Sequence, residues 1–267
     1  MASNYEELYL LKISGAGEKL WERKFASPGN HYCYGAAVIE AQDGGYVTAG
    51  YSDFSPQGFN VKVDAAGNTV WIKNNYILCE QGEGIVQTTD LGFAVSGEGY
   101  IEKFDLSGIL QWQKYYQDYD TMAYTCSIIT TADSGYLIAE SMNETAAKYD
   151  FCAIKADASG NCVWAKTWDI SGTDAGDYVY SCMQDTNGNF VLAGSSGMDV
   201  AVLKISSSGV EIWKKIYAGG LTQGGMATHV MASPDNNYVI TGTTSSGGGF
   251  ADYFIMEINA LTGDKIW

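Results

Sequence analysis

Proline is scarce in this chain, with three residues in 267, and histidine scarcer, with two. Neither His31 nor His229 falls in a nucleophile motif, no G-x-S-x-G elbow is present, and none of the six cysteines stands in a catalytic pattern. Cys33, Cys79, Cys126, Cys152, Cys162 and Cys182 include no C-x-x-C pair, which argues against a structural zinc site. Their mostly apolar surroundings suit free buried thiols, although spacing alone leaves disulfides and the redox compartment open. No run approaches the roughly 18 apolar residues of a membrane helix, so membrane insertion is not expected. The start, MASNYEELYLLK, lacks the basic and apolar segments of a signal peptide. It suits a cytoplasmic protein, or a fragment of a larger one, for which an extracellular or cell-surface setting is favoured. Cations are also few: fifteen Lys and Arg against thirty-one acids leave a formal net charge of −16. Such a surface repels phosphate backbones and argues against nucleic-acid partners.

What is plentiful is glycine, 32 residues, together with Tyr, Thr, Val and Ile, the composition of a β-protein with many tight turns. DGGYVTAGY (Asp43 to Tyr51) recurs as DLGFAVSG, DSGYLIAE, NGNFVLAG and DNNYVITG. A second pattern sets Lys nine residues before Trp, with Gly five after the Lys: Lys12–Trp21, Lys62–Trp71, Lys103–Trp112, Lys155–Trp164 and Lys204–Trp213. A sixth copy, EINALTGDKIW, has Glu257 for Lys, one inserted residue, and ends at Trp267. The Trp-to-Trp intervals of 50, 41, 52, 49 and 54 residues belong to propellers and solenoids. Each unit reads as four strands, a to d, with the aromatic motif on b, the Lys on c and the Trp on d. The expectation is an all-β protein, a β-propeller of four-stranded antiparallel blades. Five blades are favoured, with six, or a stretch of a longer array, as alternatives. The whole chain, 1–267, is expected to be one domain: a c–d hairpin at 8–25, then units at about 33–75, 80–116, 122–168, 177–217 and 226–267. The six repeat tryptophans, of seven in the chain, are expected as wedges between blades.

The c–d segments, NALTGDKIW above all, resemble the tryptophan-docking repeat of quinoprotein-type propellers. The b motif followed by K-x-D-x-x-G-N-x-x-W is similar to the D-G-G-Y-x-x-A-G-Y repeat proteins of bacteria and archaea. This resemblance spans nearly the whole chain and implies the fold. It implies little about activity, since most of the second group have no assigned chemistry. Quinoprotein dehydrogenases are longer and carry adjacent cysteines and a calcium–quinone site. No adjacent cysteines occur here, so their enzymology does not carry over and no cofactor is expected.

Ten of the fifteen cations fall at two repeat positions, the strand c Lys and the residue two after Trp. Such regularity suggests architecture, with Lys stems along the strands and ammonium groups at the rim. The a–b and c–d turns share one end and are stereotyped. The b–c and d–a loops share the other and vary: from the strand b aromatic to the strand c Lys or Glu the spacing is 16, 10, 19, 14 and 19 residues. A constant scaffold with variation at one end suits recognition. Twelve residues before the strand b aromatic stand Tyr34, Gln81, Tyr124, Tyr178 and Met226, and nearby are His31, Tyr32, Asp118, Tyr119, Asp120, Asp174 and Asp177. The candidate ligand-binding residues are Tyr32, Tyr34, Tyr119, Asp120, Tyr124, Asp177, Tyr178 and His229, since tyrosine offers a flat apolar body with a hydroxyl. The same tyrosines also suit a plug at a channel mouth, and His229 a satisfied interior imidazole.

No catalytic residue and no metal ligand is assigned. DTNGN (185–189) reads as turn chemistry. DISGTDAGD (169–177) is a weak calcium pattern, and Asn143-Glu144-Thr145 a glycosylation sequon on a b–c loop. The expected function is non-enzymatic recognition of a protein, peptide or glycan. The alternatives are a glycoside-type hydrolase with channel carboxylates, or a purely structural module of a surface repeat protein. Self-association through the incomplete terminal blade is also expected.

Overall fold

A computed structural model describes residues 7–26, 32–52, 57–75, 84–97, 99–116, 124–145, 148–173, 175–217, 224–246 and 250–267. These residues form 21 strands and no helix. Sheet I pairs β1 (Leu8–Ile13) with β2 (Lys19–Phe25). Sheet II holds β3 (Cys33–Glu40), β4 (Tyr46–Ser52), β5 (Gln57–Val63) and β6 (Thr69–Asn75). Sheet III holds β7 (Gly84–Gln87), β8 (Phe93–Gly97), β9 (Tyr100–Phe104) and β10 (Leu110–Tyr115). Sheet IV holds β11 (Tyr124–Thr130), β12 (Tyr136–Thr145), β13 (Lys148–Ala156) and β14 (Cys162–Trp168). Sheet V holds β15 (Asp177–Gln184), β16 (Phe190–Ser196), β17 (Asp199–Ile205) and β18 (Glu211–Tyr217). Sheet VI holds β19 (Gly225–Ala232), β20 (Tyr238–Ser246) and β21 (Phe250–Ile258), with one further bridge from Ile258 to Lys265. Strands are antiparallel and paired in chain order, as the four-strand reading of each repeat requires.

Two compact units emerge, sheets I–III up to Tyr115 and sheets IV–VI from Tyr116. Inner strands are covered on both faces, which explains why they read as near-continuous apolar runs. On β17, Val200 and Val202 enter the core shared with sheet VI, while Ala201, Leu203 and Ile205 enter the core shared with sheet IV. In the first unit, Phe59, Val61 and Val63 pack on Leu8, Leu10 and Phe25 of sheet I. Val47 and Ala49 meet Phe93 and Val95 of sheet III.

Turn chemistry fixes the strand ends. In the c–d turn Asp64 Oδ1 accepts from the amides of Ala66 and Asn68, at 2.9 and 2.8 Å, and Gly67 takes a φ of +81°. The a–b turn, unlike the c–d turn, does not reserve its left-handed residue for glycine. That position is Gly44, Leu91, Ser134, Gly188 and Asn236 in sheets II to VI. What the tightest a–b turns demand is the next residue. A Cβ on Gly45, Gly92 or Gly135 would lie 2.3 Å from the carbonyl oxygen of Val63, Phe104 or Ala156. Asn143, placed on a loop by the sequon, instead lies within β12, opposite Tyr149.

Candidate functional site

The turn-bearing ends of sheets II to VI are taken up by internal fastenings. Trp21 Nε1 donates to the Ala65 carbonyl in the turn of sheet II at 3.1 Å, and Trp71 Nε1 to Leu106 of sheet III at 3.1 Å. Trp164 reaches Ser207 at 3.1 Å and Trp213 reaches Ala260 at 3.3 Å. Each of these indoles covers the turn glycine of the neighbouring sheet, and a Cβ there would approach the ring to between 2.9 and 3.2 Å. The cation two residues after Trp adds to the clasp: Arg23 Nε donates to the Gly67 carbonyl at 2.7 Å, and Lys166 Nζ to that of Gly209 at 2.8 Å. Trp112 is partly buried on β10. Trp267 Nε1 turns back to Glu257 Oε2 at 2.7 Å.

The strand c lysines are not at the rim. Lys62, Lys103, Lys155 and Lys204 are 2–5% exposed, and each pairs with a carboxylate of its own a–b turn: Asp43, Asp90, Asp133 and Asp185, at 2.7 to 3.0 Å. A buried ammonium needs such a partner, and the short a–b turn delivers one. Burial alone would raise the Asp90 and Asp133 carboxyls, but the bonds from Thr88 and Lys103, and from Thr131 and Lys155, outweigh it and hold both at about 2. In sheet VI, Glu257 replaces the lysine and accepts instead from Ser233 Oγ at 3.0 Å.

The opposite, loop-bearing end carries tyrosines in pairs. In the first unit Tyr34 stacks on Tyr51 with ring centroids 4.8 Å apart, and Tyr100 meets Tyr115 at 4.3 Å. In the second unit Tyr149 of sheet IV stacks on Tyr178 of sheet V at 5.0 Å. Beside that pair, oxygens of Asp150, Asp169 and Asp177 lie within 4.8 Å of one another. Lys148 Nζ sits among them, 2.9 Å from Asp169 and 3.8 Å from Asp150. Asp177 is fully buried and accepts the Ile170 amide at 2.6 Å, which ties down the d–a loop. Burial pushes its carboxyl up, whereas the Lys148 bond holds Asp169 below the usual carboxylate range. These three acids are the group among the described residues that could hold a cation, and Lys148 already supplies positive charge there.

Of the candidates drawn from sequence, Tyr34 and Tyr178 enter stacked pairs, and Tyr32 and Tyr34 are 36% and 38% exposed. Asp177 is a loop fastener in a charged cluster rather than a free surface acid. His229 is exposed on β19, with Nδ1 3.4 Å from Ser181 Oγ. Ser181 is four residues along β15 from Asp177, about 13 Å at strand rise, so His229 stands apart from the cluster. Tyr119, Asp120 and the Tyr124 side chain lie outside the described residues, as do His31, Gln81, Asp118 and Asp174. Sequence reasoning missed Tyr51, Tyr100, Tyr115 and Tyr149. The first three could have been found from hairpin register, since Tyr34 opposes Tyr51 and Tyr100 opposes Tyr115. Cys33, Cys152 and Cys182 are buried thiols and Cys162 is an exposed one, none of these four joined in a disulfide.

No protein-family model and no curated protein matches the chain. Solved structures do. The WD40 domain of Neurospora crassa Pan2 aligns over 96% of this chain and 70% of its own, with a TM-score of 0.60 at 11% identity. A Bacteroides caccae protein of unknown function aligns over 98% and 93%, with a TM-score of 0.58 at 13% identity. A candidate exo-β-1,3-galactanase from Bifidobacterium bifidum aligns over 98% and 96%, with a TM-score of 0.51 at 8% identity. At these identities the likeness is one of fold, and the class it defines is the propeller-like, all-β repeat architecture.

Proposed function

We propose that the protein is a non-enzymatic recognition module, built from five propeller blades of the tryptophan-docking, D-G-G-Y-x-x-A-G-Y type plus the hairpin 8–25. It holds a protein, peptide or glycan at the loop-bearing ends of its sheets. One observation carries this reading. Side chains at the turn-bearing end are spent on Lys–Asp pairs and indole clasps, while the loop-bearing end offers tyrosine pairs beside loops of unequal length. Paired tyrosines give rigid flat area at little entropic cost, with hydroxyls for hydrogen bonding. A hydrolase reading gains nothing from the acid cluster, since Asp150 and Asp177 are buried and Lys148 lies against Asp150 and Asp169. The test is to screen the folded chain on glycan and peptide arrays, then to repeat the screen with Tyr34→Ala, Tyr124→Ala and Tyr178→Ala combined. Loss of capture with unchanged circular dichroism is expected. Capture at wild-type strength by the triple variant overturns the assignment of this end.

A further inference from the structure

Repeat-equivalent positions show what belongs on the outer face of sheet I. On β5 the residues three before, one before and one after Lys62 are Phe59, Val61 and Val63, each 0% exposed and packed on sheet I. On β17 the same positions around Lys204 are Ala201, Leu203 and Ile205, each 0% exposed and packed in the core shared with sheet IV. Around Lys12 they are Tyr9, Leu11 and Ile13, exposed by 50, 45 and 56%. Leu20 of β2 adds another apolar side chain, 56% exposed. The turn of the same sheet repeats the pattern. Gly17 has the left-handed φ of its counterparts, +83°, yet a Cβ there would meet nothing within 4 Å, whereas Gly67, Gly108, Gly209 and Gly263 each lie under an indole.

Sheet VI carries the complementary face. Tyr253 and Ile255, four and two residues before Glu257, are 91% and 60% exposed, and Met231 is 53% exposed. Their equivalents on β17, Val200 and Val202, are 0% exposed and packed in the core shared with sheet VI. Trp267 is 53% exposed, the indole of its repeat with no turn glycine beneath it among the described residues. One sheet thus offers a vacant indole seat with a bare apolar face, and the other an unseated indole with a matching face. Exposed apolar faces of this kind mark interaction surfaces.

We propose that these faces are the two halves of one contact between copies of this chain, with sheet VI of one copy stacked on sheet I of the next. Trp267 of the first copy lies over Gly17 of the second. Its Nε1 leaves Glu257 and donates to the Gly15 carbonyl, the position two before the glycine that Ala65, Leu106 and Ser207 occupy in the docked clasps. The two patches differ, so the contact is head-to-tail and assembly grows by addition. The test is sedimentation velocity over a concentration series on three proteins: wild type, Leu11→Asp/Ile13→Asp, and Trp267→Ala/Ile255→Asp. Wild type is expected to rise above its 28.8 kDa monomer mass with concentration, and each variant alone to stay there. Mixing the two variants restores one intact contact and is expected to give a species of twice the monomer mass and nothing larger. If Leu11→Asp/Ile13→Asp fails to fold by circular dichroism, Leu20→Asp takes its place. A wild type that stays monomeric throughout, or a mixture that does, overturns the proposal; both follow if the sheet I face has another occupant.

Discussion

At the scale of single residues, the buried lysine is the unusual choice, and its energetics are lopsided. Removing Asp133 leaves the Lys155 ammonium uncompensated in a site 5% exposed, whereas removing Lys155 leaves a carboxylate that is 65% exposed and still hydrated. Asp133→Ala is therefore expected to lower stability by about 3 kcal/mol, and Lys155→Met by less than about 1 kcal/mol, measured by urea denaturation. The acid limb of stability follows from the same turns. With folded values of about 2, below the ordinary aspartate, Asp90 and Asp133 contribute stability that is present above about pH 4 and lost as pH falls towards 2. The urea midpoint is expected to drop over that window, and the drop to be shallower in Asp90→Asn/Asp133→Asn. None of this pairing was legible in the chain. Three of the partner acids stand three residues before the strand b aromatic, but Asp185 stands five before Phe190, so no fixed spacing announces the pair.

At the scale of the element, the hairpin repeat was almost fully legible, because its signal is chemical punctuation rather than propensity. Lys, Gly and Trp at fixed offsets placed strands c and d, and β5, β9, β13 and β17 all end one residue past the lysine. The a–b turn was read less well. Its left-handed residue tolerates Leu91 and Ser134, while the glycine that matters is the one pressed against a carbonyl of strand c, a contact invisible in one dimension. Glycine substitutions can separate backbone strain from indole packing. Gly108→Ala suffers both, since its Cβ would lie 2.9 Å from the Trp71 ring, whereas Gly17→Ala suffers strain alone. Under dilute conditions Gly17→Ala is expected to cost about 1 kcal/mol, and Gly108→Ala roughly 2 kcal/mol more, compared by thermal unfolding.

At the scale of the whole molecule, charge and apolar surface pull in opposite directions. A formal net charge of −16 makes copies repel one another, while the bare faces of sheets I and VI favour contact. Raising ionic strength from about 0.05 to 0.5 M shortens the screening length from roughly 14 to 4 Å, so the proposed head-to-tail assembly is expected to strengthen several-fold by sedimentation. A contact resting on surface ion pairs would weaken instead. Composition made the charge legible. The acid cluster was legible only in part: Asp169 and Asp177 stand together in the DISGTDAGD pattern, but only folding brings Asp150 of β13 beside them. The sequestered ammonium groups also make the molecule self-reporting. Lys62, Lys103, Lys155 and Lys204 each mark a different sheet, so a brief pulse of an amine-acylating reagent should spare all four until their sheet opens. Peptide mapping of the acylated sites would then chart which sheet comes undone first.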